Sequence, residues 1–174
     1  NLTPLDVSAT LHGLMDNGHQ AWIFTSATLA IGEDFTHFTS RMGLTDASGL
    51  TFPSPYAVEQ NGLVYLPPDL PQPSDPGHTA AVLESVTPLL DLIAGGMFCL
   101  FTSHRALNAA RKWFRSNKKV LAGRKLLVQG DSPRDDLLRR FREIGNAVLL
   151  GTGSFWEGVD VRGQALTVVA IDKL

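Results

Sequence analysis

AVLLGTGSFWEGVDVRGQALTVVAI, residues 147–171, decides how the rest of the chain is read. Two apolar runs, Ala147 to Leu150 and Leu166 to Ile171, flank a polar segment rich in glycine and hydroxyl groups. Apart from Thr167, both runs are apolar throughout rather than alternating, which is the pattern of strands buried on both faces of a parallel sheet. The segment between them, Gly151 to Gly163, carries Trp156, Glu157 and Asp160, none of which a plain connector needs. It is not a G-x-G-x-x-G loop, because Ser154, Phe155 and Trp156 continue without the third glycine, and no G-x-x-x-x-G-K-[ST] loop occurs in the chain.

Working upstream, Leu126 to Val128 and Met97 to Phe101 read as two more buried strands. Ser103 is placed to cap a helix with Leu107, Ala110 and Phe114 facing inward. Ser132 and Pro133 open a second helix, with Ser132 as the cap, Pro133 at the first helical position and Asp135 in the capping-box place. Leu137, Phe141 and Ile144 form its buried face, Gly145 stops it, and Asp135–Arg139 and Asp136–Arg140 are spaced for surface ion pairs. The order from Met97 on is strand, helix, strand, helix, strand, loop, strand. It predicts an α/β fold with a mostly parallel sheet and helices on both faces.

The rest of the chain is less regular. Thr79 to Ala94 has helical period, with a kink expected at Pro88 and a stop at Gly95 and Gly96. Ala21 to Thr25 and Gly62 to Leu66 read as short strands, and Gly32 to Gly43 as helical, with Phe35, Phe38 and Met42 in step. Phe52 to Tyr56 holds two prolines and cannot be a central strand. Pro67 to Gly77 is dense in proline and reads as an extended connector ahead of His78. With 174 residues, the expectation is a single domain over 1–174 with a connector at 67–78. A start at Asn1 and a stop at Leu174, directly after a strand-like run, fit a piece of a longer protein.

Composition sets bounds. A hydrophobic share of 44% with 18% charged residues argues for a packed core. No apolar run approaches the roughly 18 residues needed to span a bilayer, so no membrane partner is expected. One cysteine, Cys99, sits inside an apolar strand, and the five histidines show no ligand spacing. That predicts a reducing, cytoplasmic compartment and no metal site. The net charge of −2 hides a division. Residues 1–91 carry one basic side chain, Arg41, against ten acidic ones; residues 92–174 carry fourteen basic against seven acidic. Arg105, Arg111, Lys112, Arg115, Lys118, Lys119, Arg124 and Lys125 occupy an interval without an acid, and such a block either attracts polyanions or forms a solvated face.

Three loops leave strand ends with polar chemistry: Thr25-Ser-Ala-Thr28, Thr102-Ser-His-Arg105 and Gly151 to Gly163. In parallel sheets, ligands gather at the carboxyl ends of strands. Hydroxyls and free N–H groups there suit phosphate oxygens. Thr102, Ser103 and Arg105 read as a phosphodiester grip, or as a cap and a surface cation. Thr25 to Thr28 read as part of a site, or as a turn whose hydroxyls satisfy their own backbone. Gly151 and Gly153 allow close backbone approach to a ligand. Glu157 and Asp160 can hold a metal-bound phosphate, pair with an arginine or cap a helix. The bland alternative is a capped short helix with Phe155 and Trp156 in the core.

Taken in order, these loops resemble the motifs of the second motor domain of XPD/DinG-type superfamily 2 DNA helicases, nearest the bacterial YoaA branch. Phe24-Thr-Ser-Ala-Thr-Leu29 is similar to the family's TSATL motif, Leu100-Phe-Thr-Ser-His-Arg-Ala-Leu107 to motif IV, and Gly151-Thr-Gly-Ser-Phe-Trp-Glu-Gly-Val-Asp160 to motif V. Gln129-Gly130 and the end at Ala170-Ile-Asp-Lys-Leu174 fit as well. The resemblance implies a RecA-like, P-loop NTPase-type sheet. It implies that Glu157, Gly158 and Asp160 face an ATP cleft. It implies that Thr102, Ser103, Arg105, Thr152, Ser154 and Trp156 hold single-stranded DNA, and that Thr25, Ser26 and Thr28 couple the two. ATP and Mg2+ would be shared with a first motor domain, which would also hold the family's Walker residues and iron–sulfur cluster. The arginine-rich motif VI would follow Leu174. The whole protein is then expected to be a 5′-to-3′ ATP-dependent helicase of DNA repair. It would be bacterial, cytoplasmic and nucleoid-associated, with replication or repair proteins as partners, and this piece alone would be inactive. Two rival readings are a non-catalytic α/β interaction module, favoured by the acidic first half, and a nucleotide-dependent transferase using the Gly151 loop.

Overall fold

The computed structural model describes residues 8–15 and 20–173. The chain divides into two compact units, residues 1–64 and 65–174.

The second unit is built on four parallel strands, β1 (Gly96–Leu100), β2 (Leu126–Val128), β3 (Val148–Gly151) and β4 (Leu166–Ile171), in the order β2-β3-β1-β4. Each strand is short and apolar, so its side chains enter the two faces alternately and both faces need cover. On one face Met97, Cys99, Val128, Val148 and Leu150 pack with α4 (His78–Val86) and α5 (His104–Ser116). On the other, Phe98, Leu100, Leu127 and Leu149 pack with α6 (Arg134–Ile144) and Phe155. This is the expected α/β sheet with helices on both faces. β4 is an edge strand; its Val169 and Ile171 remain exposed.

Element boundaries follow local chemistry. Ser103 caps α5, its Oγ accepting the Ala106 N–H at 3.2 Å. Gly145, at φ 76°, closes α6 in the left-handed region. Pro88 lacks the N–H an α-helix needs, and α4 gives way to a 3₁₀ turn over Thr87–Asp91. The cap expected of Ser132 does not form: Pro133 occupies the cap position of α6 without a side-chain hydrogen bond, so the helix begins at Arg134. The ion pairs on α6 also differ from the expected spacing. The Arg139 fork takes Asp136 at 3.0 Å and Glu143 at 3.1 Å, while Asp135 lies 3.7 Å from Arg134. One guanidinium with several carboxylates in reach binds the two that suit its planar geometry. Pro67 to Gly77 is not extended. It folds into turns in which the Asp75 N–H donates to Gln72 O and the His78 N–H donates to Asp75 O. The His78 ring nitrogens then lie 2.8 Å from Pro71 O and from Asp172 O, tying these turns to the end of β4.

At the amino end of the sheet, Arg124 donates to the carbonyl oxygens of Leu90, Ile93, Gly95 and Asn146. One side chain there satisfies the acceptors left where the segments before β1 and β3 turn into the sheet.

In the first unit, the helices among the described residues are α1 (Ser8–Met15), α2 (Thr36–Met42) and α3 (Val58–Asn61). Beside the start of α2, hydrogen bonds from the Thr36 side chain and, at 2.8 Å, from the Thr36 N–H lower the pKa of the Asp34 carboxyl. Neither Ala21–Thr25 nor Gly62–Leu66 is a strand; Ile23, Leu63 and Val64 are largely exposed. An apolar run encodes a tendency to be buried but not a ladder partner. Among the described residues of this unit the single bridge joins Ile31 and Asp34. Trp22 stacks instead with Phe24, and Phe24 meets Phe38 edge-on at 5.5 Å.

Candidate functional site

Register brings the loop after β1 and the loop after β3 to one edge of the sheet. Leu100 pairs with Gly151 on one side and with Ile171 on the other. Thr102, Thr152 and Asp172 therefore leave adjacent strands at the same carboxyl edge, and Gln129 leaves β2 beside them, its N–H donating to Leu150 O. The connection from β1 enters α5 on one face. The connection from β3 sends Phe155 into the core of the other face. Adjacent loops parting to opposite faces leave a crevice between them, where α/β sheets bind ligands.

The β1 loop exposes Thr102 and Arg105, while Ser103 is half-buried and its Oγ accepts the cap hydrogen bond, which leaves the hydroxyl proton out of the cap. The Thr102 N–H donates to Asp172 Oδ1 at 3.3 Å. Asp172 is buried, and loss of water raises its carboxyl pKa above the ordinary 3.8 despite opposing help from the Thr102 N–H, Lys173 and His78.

The β3 loop is a 3₁₀ turn over Gly153–Phe155 followed by an irregular stretch. Gly151 serves packing here: a Cβ at that position would meet the Phe155 ring at 2.9 Å. Thr152 is buried, and both its N–H (2.6 Å) and its hydroxyl (3.0 Å) donate to Gln129 Oε1. Ser154, Trp156, Glu157 and Asp160 are exposed, and Phe155 alone of the two aromatics is in the core. Of the alternative, a capped short helix with both aromatics in the core, a 3₁₀ turn and the buried Phe155 form, while the side-chain cap and the burial of Trp156 do not.

Two arginines of α6 grip the loop's backbone. Arg134 donates through Nε to Ser154 O at 2.9 Å and through Nη2 to Gly158 O at 2.7 Å and Glu157 O at 3.2 Å. Its guanidinium also lies 5.9 Å from the Phe155 ring centroid. Arg142 donates to Asp160 O at 2.7 Å. Gly158 adopts φ 64°, the left-handed region, and that turn presents its carbonyl to Arg134. The Asp160 carboxylate meets Arg162 at 2.9 Å, but both side chains are largely exposed, so the pair holds weakly. Glu157 has no ion pair among the described residues.

Thr25, Ser26 and Thr28 belong to the first unit. There they form a local turn in which the Thr28 N–H donates to Ser26 Oγ at 3.3 Å. The basic block also separates. Arg105 stands at the carboxyl edge, Arg111 pairs with Asp131 at 2.8 Å, and Arg124 holds carbonyls at the opposite end. Among the described residues no cluster of three or more His, Cys, Asp or Glu side chains could hold a metal, and no helix is long and apolar enough to cross a membrane.

Gln129, Arg134, Arg142 and Asp172 were not predicted to act in the site. Arg134 did leave a signal: a cation in the first turn of a helix opposes the macrodipole, so it needs a partner outside the helix.

The profile of the family described as "Helicase C-terminal domain" matches residues 86–174, just over half of the chain. The chain belongs to this family. The helicase C-terminal domain match covers β1 to β4 together with the β1 and β3 loops. Among relatives, the chain is 40% identical over 173 residues to the Escherichia coli protein named ATP-dependent DNA helicase YoaA, covering 99% of this chain and 27% of that protein. It is 36% identical over 158 residues to the Mycobacterium tuberculosis ATP-dependent helicase DinG, covering 87% of this chain and 23% of the relative. It is 32% identical over 161 residues to the Bacillus subtilis 3'-5' exonuclease DinG, covering 87% and 17%. The chain thus spans about a quarter or less of the length of these curated relatives.

Proposed function

We propose that this chain is the second motor domain of an ATP-dependent DNA helicase, and that the β3 loop touches both of that enzyme's ligands. The observation that carries this is the division of the loop at the carboxyl edge of the sheet. Ser154 and Trp156 stand exposed on one stretch, Glu157 and Asp160 on the next, and the backbone between them is fixed by Arg134 and Arg142. Family membership supports placing nucleotide and nucleic acid at this edge.

In this reading Thr102, Ser103, Arg105, Ser154 and Trp156 hold the backbone and bases of single-stranded DNA. Trp156 supplies a stacking face, and Arg105, which has no ion pair among the described residues, a cation for phosphate. Thr152 contributes from beneath: its hydroxyl proton is already given to Gln129, so it sets the loop rather than donating to phosphate. Glu157, Gly158 and Asp160 line the nucleotide side. The free Glu157 carboxylate and the weakly paired Asp160 suit water or a cation bound to phosphate, and so fit ATP with Mg2+ shared with another domain. Bound there, ATP supplies the phosphoryl-transfer step; these residues sense its state. Thr25, Ser26 and Thr28 are assigned to coupling. An iron–sulfur cluster does not fit this chain, which has one cysteine, buried in β1, where four thiolates are needed. The 5′-to-3′ direction, the DNA-repair role, the replication or repair partners and the bacterial nucleoid as its place belong to the same proposal.

The test uses the full-length protein. Glu157→Gln and Asp160→Asn should each lower DNA-stimulated ATP hydrolysis and unwinding by about a hundredfold or more, with the melting temperature held within a few degrees. Unwinding retained by both variants would remove the role assigned to these carboxylates.

A further inference from the structure

We infer that Arg134 is a positioning residue that holds the two halves of the β3 loop in one fixed relation, so that losing it weakens nucleic-acid and nucleotide binding together. This inference rests on the reading that the loop touches both ligands.

The geometry is specific. Ser154 O lies on one half of the loop and Glu157 O and Gly158 O on the other, and a single planar guanidinium bridges them through Nε and Nη2. Phe155, between the two halves, packs into the core beneath the same guanidinium. The bridge stands on a rigid base, because α6 is anchored by buried Leu137, Leu138 and Phe141. The neighbouring Gln129, which leads into the same connection, fixes Thr152 at the loop's beginning. The whole span from Thr152 to Gly158 is thus cradled by the β2–α6 connection.

Helix stability does not account for an arginine at this position. The first turn of α6 is where carboxylates are favoured, and Asp135 and Asp136 are there. Its contact with Asp135, at 3.7 Å to a side chain 95% exposed, is weak. Three loop carbonyls are its substantial partners. A lysine ammonium is a point donor and cannot span acceptors that approach different nitrogens of a fork.

The experiment compares full-length wild type with Arg134→Met, Arg134→Lys and Val86→Ala, the last a core variant on the opposite face that reproduces a general loss of stability. Hydrogen exchange of amides 153–160 reads the clamp itself, whether or not the protein unwinds DNA. Arg134→Met should raise exchange there by about tenfold and leave β1 unchanged. Kd for single-stranded DNA and KM for ATP should both rise, by about fivefold to tenfold each, with Arg134→Lys intermediate and Val86→Ala unchanged in both. Unaltered exchange at 153–160 would overturn the clamp. Faster exchange with only one constant shifted would overturn the shared positioning. A wild-type protein without DNA-stimulated ATP hydrolysis would instead defeat the helicase reading, and the exchange result would still decide the clamp.

Discussion

Burial of the Asp172 side chain at the end of β4 strips water from its carboxylate and raises its affinity for a proton above that of an unfolded aspartate. The folded state therefore binds more protons than the unfolded state in the window that opens above pH 3.8. Stability falls as pH rises through that window and does not recover at neutral pH, where the buried carboxylate is charged. Asp172→Asn keeps an oxygen for the Thr102 N–H and removes the charge. Thermal melts should find this variant at least as stable as wild type at pH 7, with the difference shrinking as pH falls towards 4. A variant markedly less stable at pH 7 would show that the groups opposing desolvation, the Thr102 N–H first, outweigh it. The sequence hid this residue because Asp172 follows an apolar strand like any polar residue opening a loop. Nothing in its spacing says that Thr102, seventy positions earlier, donates to it.

Among the elements, the serines before α5 and α6 look alike in sequence and differ in structure. Ser103 caps α5 through the Ala106 N–H; Ser132 stands one residue too early, and Pro133 takes the cap position. Ser103→Ala should cost about 1 kcal/mol, read as a lower urea midpoint. Ser132→Ala should change the midpoint by less than half as much. Equal losses would mean that Ser132 serves α6 after all. The same contrast explains what was legible. β1 to β4 were readable because each is an apolar run, broken only by Thr167 in β4, and helices of clear period separate the first three, a combination that a parallel sheet demands. The Ala21 and Gly62 runs have the right composition, yet a strand also needs a ladder partner, and five residues do not name one. The exposed residues of the two C-terminal loops were legible from hydroxyls, glycines and acids at strand ends. The groups that hold those loops were harder to see: Gln129 left no signal and Arg134 only a cation in a helix's first turn, because both act from other elements on main-chain groups, Gln129 accepting the Thr152 N–H and Arg134 donating to carbonyl oxygens, which every residue type possesses.

At the scale of the second unit, the two ends of the sheet have different duties. The amino end is tied by Arg124 to four carbonyls, and the carboxyl edge carries the exposed loops. Between them, one residue before the end of β1 and flanked by β3 and β4, lies Cys99, the chain's single thiol. Burial pushes its pKa up to about 12, so neither thiolate nor access is offered while the sheet is closed. Alkylation of this domain at pH 8 should therefore proceed only as fast as the central strands separate, accelerating with urea in step with unfolding. Capture at the rate of a free thiol would mean that β1 opens far more readily than its burial implies. The lone cysteine thus makes the domain its own clock: a chemical stopwatch for the opening of the sheet, with no dye or label added.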